Sequence, residues 1–223
     1  MLRVLQAIWQ ADGAFPSGAF AFSYGIEGAL ALRRDMTLGD FEALVAAMLK
    51  RRWASYDRVA LLWSYRAGGD LEAIAAVDRE VEASTLIETL RTGSRRNGGA
   101  YLASHARLGQ PLAIALRDDV QAGNCLGHIA VMQGAVWSEL GLDEALAQLC
   151  SGYTAASGVI TAAIRLGAMG ALQGQGVLQR CLPLIEQLAA QEVPDDVELS
   201  SFVPFLDIAA ARHAQADLRL FAN

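Results

Sequence analysis

Between Ala145 and Ile164 the chain runs without a charged side chain. An uncharged run of that length has two stable homes: a bilayer, which needs roughly 20 predominantly apolar residues, or the centre of a helical protein. Gln148, Ser151, Gly152, Tyr153, Thr154, Ser157, Gly158 and Thr161 dilute it too heavily for lipid. The run therefore reads as a buried core helix, and a helix buried on all sides needs other elements packed around it. No segment elsewhere alternates apolar and polar residues as a half-buried strand does, whereas alanine and leucine recur at helical spacing throughout. The expectation is an all-α, single-domain bundle of roughly eight to ten helices. It spans residues 1–223, with 1–20 and 214–223 the candidates for flexible ends.

Local signals place the helices. Thr37 is a cap for a helix carrying Phe41, Leu44, Val45, Met48 and Leu49 on one face. A second helix is expected over Ser55 to Arg66, with Val59, Leu62 and Trp63 inward and a stop at Gly68-Gly69. Asp70 caps the next, which turns Leu71, Ile74 and Val81 inward. Asn97-Gly98-Gly99 weakens or interrupts the pattern before Tyr101 to Arg107 resumes it. Cys125, Leu126, Ile129, Met132, Val136 and Trp137 define another helical stripe, closed by Gly141. A glycine-rich loop, Gly167 to Gly176, is expected before a helix over Val177 to Gln191, which Val193-Pro194 breaks. A last helix begins near Pro204.

The chemistry expected of common enzymes does not assemble. A net charge of −6 argues against nucleic acid, which requires a basic footprint. Lys50 is the only lysine among 18 basic residues, and it lies inside a predicted helix, so no phosphate-binding loop can use it. Gly174-Gln175-Gly176 follows a helix rather than a strand, which removes the geometry of a dinucleotide site. No nucleophile elbow places a serine beside a base. Cys125, Cys150 and Cys181 are far apart in apolar surroundings and read as buried thiols of a reducing compartment. Cys125 and His128, three apart, are either half of a metal site or a buried thiol beside a polar histidine. His105 reads as a solvent-facing helix residue, and His213 as an interface group or an exposed ligand. Arg3 and Asp12 interrupt any leader-like apolar run at the start.

Four stretches carry a resemblance. Phe15-Pro16-Ser17-Gly18-Ala19-Phe20-Ala21-Phe22-Ser23-Tyr24-Gly25-Ile26-Glu27 is similar to the signature of the urease accessory protein UreF family. Pro16 and Gly18 would make its turn and Tyr24 to Glu27 would open a helix, while Phe20, Phe22 and Tyr24 are either core aromatics or exposed hot spots. Ala163-Ile164-Arg165-Leu166-Gly167-Ala168-Met169-Gly170 resembles a second family stretch, with Ala168 where proline is usual. Arg165 there either complements the helix dipole or serves a helix or subunit contact. The tail from Pro204 through Asp207, Arg212 and His213 to Arg219-Leu220-Phe221 resembles a third, with Ala214 in place of glutamate and Asp217-Leu218 in place of a tyrosine-serine pair. Glu88, Arg91, Ser94 and Gly98 resemble a fourth block.

The resemblance implies a cytoplasmic, helical, homodimeric adaptor rather than an enzyme. Its implied partners are a UreD/UreH-like accessory protein, the UreG-like nickel GTPase and apo-urease, with nickel handled by the complex and no cofactor held tightly by this chain. Neither nucleic acid nor membrane is an implied partner. The partner-binding residues it points to are Pro16, Gly18, Phe20, Ser23, Tyr24, Glu27, Arg165, Asp207, Arg212, His213, Arg219 and Phe221. Two other roles stand beside the adaptor: a GTPase-activating protein using Arg165 or Arg212 as its finger, and a nickel carrier using His213 with a cysteine.

Overall fold

Helices open where side chains satisfy their first amides. Thr37 and Asp40 form a reciprocal capping box, with Asp40 N–H donating to Thr37 Oγ1 at 3.2 Å and Thr37 N–H to Asp40 Oδ2 at 2.8 Å. Asp70 accepts from the amides of Glu72 and Ala73, and Asp143 from that of Leu146. In the computed structural model, which describes residues 1–213 and Phe221, these caps and the apolar stripes behind them produce an all-α architecture with no strand among the described residues. The helices are α1 (Leu2–Ala11), α2 (Ile26–Leu32), α3 (Leu38–Met48), α4 (Arg58–Arg66), α5 (Leu71–Ser84), α6 (Glu88–Arg107), α7 (Pro111–Ala122), α8 (Ile129–Glu139), α9 (Glu144–Arg165), α10 (Ala171–Ala189) and α11 (Pro204–His213).

The uncharged run lies in α9, which packs against α10, α1, α4 and α2. Its apolar face joins Ile26, Phe41, Val45, Leu49, Trp53, Val177 and Ile185 in the largest core cluster. A second cluster lies among α4 to α8, and a third surrounds Trp137. No helix among the described residues is long and apolar enough to cross a membrane.

Four sequence expectations are corrected by packing. The helices expected around Phe41 and from Ser55 are one continuous rod, because α3 passes through a π-helical segment, Leu49–Asp57, directly into α4. The wider turn buries Leu49, Trp53 and Tyr56 while Lys50 and Arg51 stay outside. Trp53 Nε1–H donates to Ser151 Oγ at 3.0 Å and Tyr56 O–H to the Val81 carbonyl at 2.7 Å. Carbonyls of the same segment, Arg51 and Ser55, accept the amides of Phe202 (2.8 Å) and Ser200 (2.9 Å), which fixes the approach to α11.

Next, α6 runs unbroken through Asn97-Gly98-Gly99. A Cβ on Gly98 would lie 2.0 Å from the Gly127 carbonyl oxygen, so the glycine permits a close crossing instead of a break. The third correction concerns Cys125 to His128, which precede α8 as an extended turn and do not share a helical face. Lastly, the expected loop over Gly167 to Gly176 ends at Gly170. Gly174 lies within α10 and packs on α9, where an added Cβ would be 2.7 Å from Ile164 Cδ1.

Candidate partner-binding surface

The N-terminal motif is seated on α6 and α9. Ser104 Oγ–H donates to the Pro16 carbonyl at 2.6 Å. Gly18, at φ 83°, lies so close to α6 that a Cβ would come 2.6 Å from Ala100 Cβ. A single 3-10 turn, Ala19–Ala21, then lifts Phe20 outward, where it is 70% exposed. The chain dives back with Phe22 and Ser23 buried. Tyr24 follows at φ 55°, the one non-glycine residue at positive φ among the described residues, a conformation that costs roughly 1–2 kcal/mol for an L-residue. Its ring lies over Gly158, whose missing side chain makes the space, since a Cβ there would be 2.8 Å from Tyr24 Cε2. Burial pushes the Tyr24 phenol up to about 12, with Asp57 adding to the shift. The phenol stays protonated and neutral at any physiological pH.

The same strained turn starts α2, whose Glu27 meets Phe221. Arg165, at the last position of α9, lays its guanidinium over the Phe20 ring at 3.4 Å and over the Phe221 ring at 4.3 Å. It also donates to the Phe20 carbonyl. The Phe221 amide donates to Glu27 Oε2 at 3.2 Å, and the Phe221 ring is buried with Ile26, Leu206 and Ala209. Four residues singled out in three distant stretches, Phe20, Glu27, Arg165 and Phe221, thus form one cluster. Helix α11 packs on α2 beside it. Asp207 of α11 is half-buried; burial pushes its carboxyl above the usual range while Arg52 opposes the shift. Arg212 is exposed at the end of α11. His213 ends α11, but its side chain lies outside the described residues, as do Arg219 and the divergent Ala214, Asp217 and Leu218.

Periodicity had not singled out the outer face around α11. Phe202 is 71% exposed and Ile208 55%, with Phe205 also exposed, whereas Leu206, Ala209 and Ala210 face the core. The signal was present: Phe205 and Ile208 are three apart and both offset from the buried set. His105 is a further correction. It is wholly buried, with Nε2 3.2 Å from Gln10 Oε1, inside a box of Trp9, Phe15 and Tyr101. The three thiols are buried and unpaired, and burial pushes those of Cys125 and Cys150 up to about 12. No group of three or more metal-ligating side chains occurs among the described residues.

A family model described as UreF matches residues 37–182, from the α3 cap into α10. The urease accessory protein UreF of Trichodesmium erythraeum is 33% identical over 216 residues, covering 95% of this chain and 93% of the relative. The chain belongs to the UreF family. The protein of the same name from Yersinia pestis strain Pestoides F is 28% identical over 228 residues, covering all of this chain and 98% of the relative. The UreF match includes Arg165, whereas the N-terminal motif and the tail fall outside residues 37–182 and are covered by the match to the Yersinia pestis protein.

Proposed function

We propose that this UreF-family chain is a non-catalytic adaptor in urease maturation. In this reading it is one helical domain that homodimerises in the cytoplasm, binds a UreD/UreH-like accessory protein, and through that complex meets a UreG-like GTPase and apo-urease. Nickel is cargo of the complex, delivered to urease, and not a resident cofactor of this chain. The observation that carries the reading is the Phe20, Glu27, Arg165 and Phe221 cluster, together with the exposed Phe202, Phe205 and Ile208. Exposed aromatics beside arginine are the usual composition of a hot spot, and an apolar face left in water favours a partner that covers it.

The same geometry weighs against the other two roles. Arg165 already lies over two aromatic rings, so a finger role would first require it to leave them. A carrier using a cysteine must form a thiolate, which burial opposes at all three thiols. The test is co-purification of the full chain with the UreD/UreH-like protein after Tyr24→Ala and, separately, after deletion from Arg212 onward. Loss in both supports the surface. Retention of the partner by both variants overturns it.

A further inference from the structure

Phe20 has little to hold it. It lies on a single turn, mostly in solvent, and its ring and its carbonyl both meet the same side chain, Arg165. Phe221 is held on two sides, by the core under its ring and by Arg165 over it, while Glu27 accepts its amide. A guanidinium is planar, so it can offer one face to each of two rings while its edge N–H groups donate in plane; an ammonium cannot. We propose that Arg165 is a positioning residue that clasps the N-terminal turn to the C-terminal Phe221, so that the two motifs are presented as one surface.

The consequence for partners rests on the adaptor reading above, whereas the clasp itself is a property of the free chain. Without Arg165 the Phe20 turn loses its ring contact and a carbonyl partner, and Phe221 loses the cover on its outer side. Each motif then opens more often, independently of the other.

Timed digestion of the full-length protein with a carboxypeptidase, followed by intact mass, reads the clasp directly. In the wild-type chain digestion should pause once it reaches Phe221. In Arg165→Ala the Phe221 release should be about tenfold faster, as loss of a partly desolvated cation–π contact predicts. Arg165→Lys should behave like Arg165→Ala, because charge without a flat face does not restore the stack. Phe20→Ala should also speed release, and Phe20→Tyr should restore the wild-type pause. Phe20 is so exposed that its loss cannot unfold the core, so this pair carries the test even if Arg165→Ala misfolds. Release of Phe221 at the wild-type rate in both Arg165→Lys and Phe20→Ala overturns the proposal. Faster release with partner co-purification intact would uphold the clasp and sink the adaptor surface. Unchanged release with co-purification lost would do the reverse.

Discussion

Asp78 Oδ1 accepts the backbone N–H of His128 at 2.9 Å, tying mid-α5 to the start of α8. Its other oxygen takes the amides of Leu126 (2.6 Å) and Gly127 (2.7 Å) and the Cys125 thiol (3.0 Å). The carboxylate is fully buried, so the four donors replace its water. His128 extends the network, bridging Glu82 at 2.8 Å and Ser94 at 3.1 Å. Asp78→Asn turns one acceptor into a donor that faces amide donors. It should lower unfolding stability by about 3 kcal/mol, within the range for breaking a buried charge-assisted network. Urea denaturation followed by far-UV circular dichroism measures this. A loss under about 1 kcal/mol would mean that the turn relaxes around the change.

Arg58 performs a comparable task without a carboxylate. Buried beside Trp53, it donates to Gln148 Oε1 at 2.7 Å and to the Leu188 and Gln191 carbonyls at the end of α10. The negative end of the α10 dipole and three acceptors stabilise its charge. Arg58→Leu keeps most of the apolar volume but orphans those acceptors. Thermal unfolding should show a loss of roughly 3 kcal/mol, and Arg58→Lys should recover only part of it because one ammonium cannot span all three.

The contrast between these residues and the caps explains what was legible. Thr37, Asp70 and the Phe41, Val45, Met48 stripe depend on neighbours within a turn, so the sequence alone places them. Phe20, Glu27, Arg165 and Phe221 were each singled out in motifs, yet their meeting depends on α9, α2 and the tail converging in space. Gly98 and Gly174 looked like breakers because local propensity cannot see the backbone or side chain lying against them. Cys125 to His128 looked helical because their apolar spacing continues that of α8, whereas the Asp78 carboxylate captures their amides. His105 looked solvent-facing because Ser104 and Arg107 flank it, while the aromatic box adds rings from α1 and the turn after it to Tyr101 of α6 itself.

His105 also sets a pH dependence. Burial lowers its pKa from 6.5 to about 4, since nothing charged answers an imidazolium in that box. The folded state therefore favours the neutral ring, and the unfolded chain takes up a proton first as pH falls. This contribution is complete above about pH 6.5, declines between about 6.5 and 4, and is flat below, with at most about 3 kcal/mol lost. His128, also lowered by burial, acts in the same direction. His105→Gln should reduce the slope of unfolding free energy against pH in that window without removing it. An unchanged slope would assign the acid sensitivity to other groups.

Two adjacent glycines of α6 should respond oppositely to alanine. A Cβ on Gly98 meets the Gly127 carbonyl oxygen at 2.0 Å, and backbone cannot rotate away as a side chain would. Gly98→Ala should cost about 3 kcal/mol or more, as overpacking against fixed atoms does. Nothing lies within 4 Å of a Cβ on Gly99. Gly99→Ala should stabilise by roughly 0.5–1 kcal/mol through helix propensity alone. Denaturant midpoints of the two variants, measured side by side, decide between a packing role and a helix-breaking role for the pair.

The outer face of α11 yields the final expectation. Ile208 is 55% exposed and Phe205 38%, while Leu206, Ala209 and Ala210 of the same helix are buried, so replacing the outer pair removes less that the free chain uses than replacing the inner three would. Phe205→Ser with Ile208→Ser should therefore lower unfolding stability by only about 1–2 kcal/mol, from the covered part of Phe205 and helix propensity. If the UreD/UreH-like partner covers this face, the same pair should weaken the complex by about 2–4 kcal/mol, the range for two truncated hot-spot residues. At 1.4 kcal/mol per decade that is roughly thirtyfold or more in Kd, readily measured by calorimetry with purified partner. Unchanged affinity would remove α11's outer face from the proposed surface and leave the Arg165 cluster as its centre.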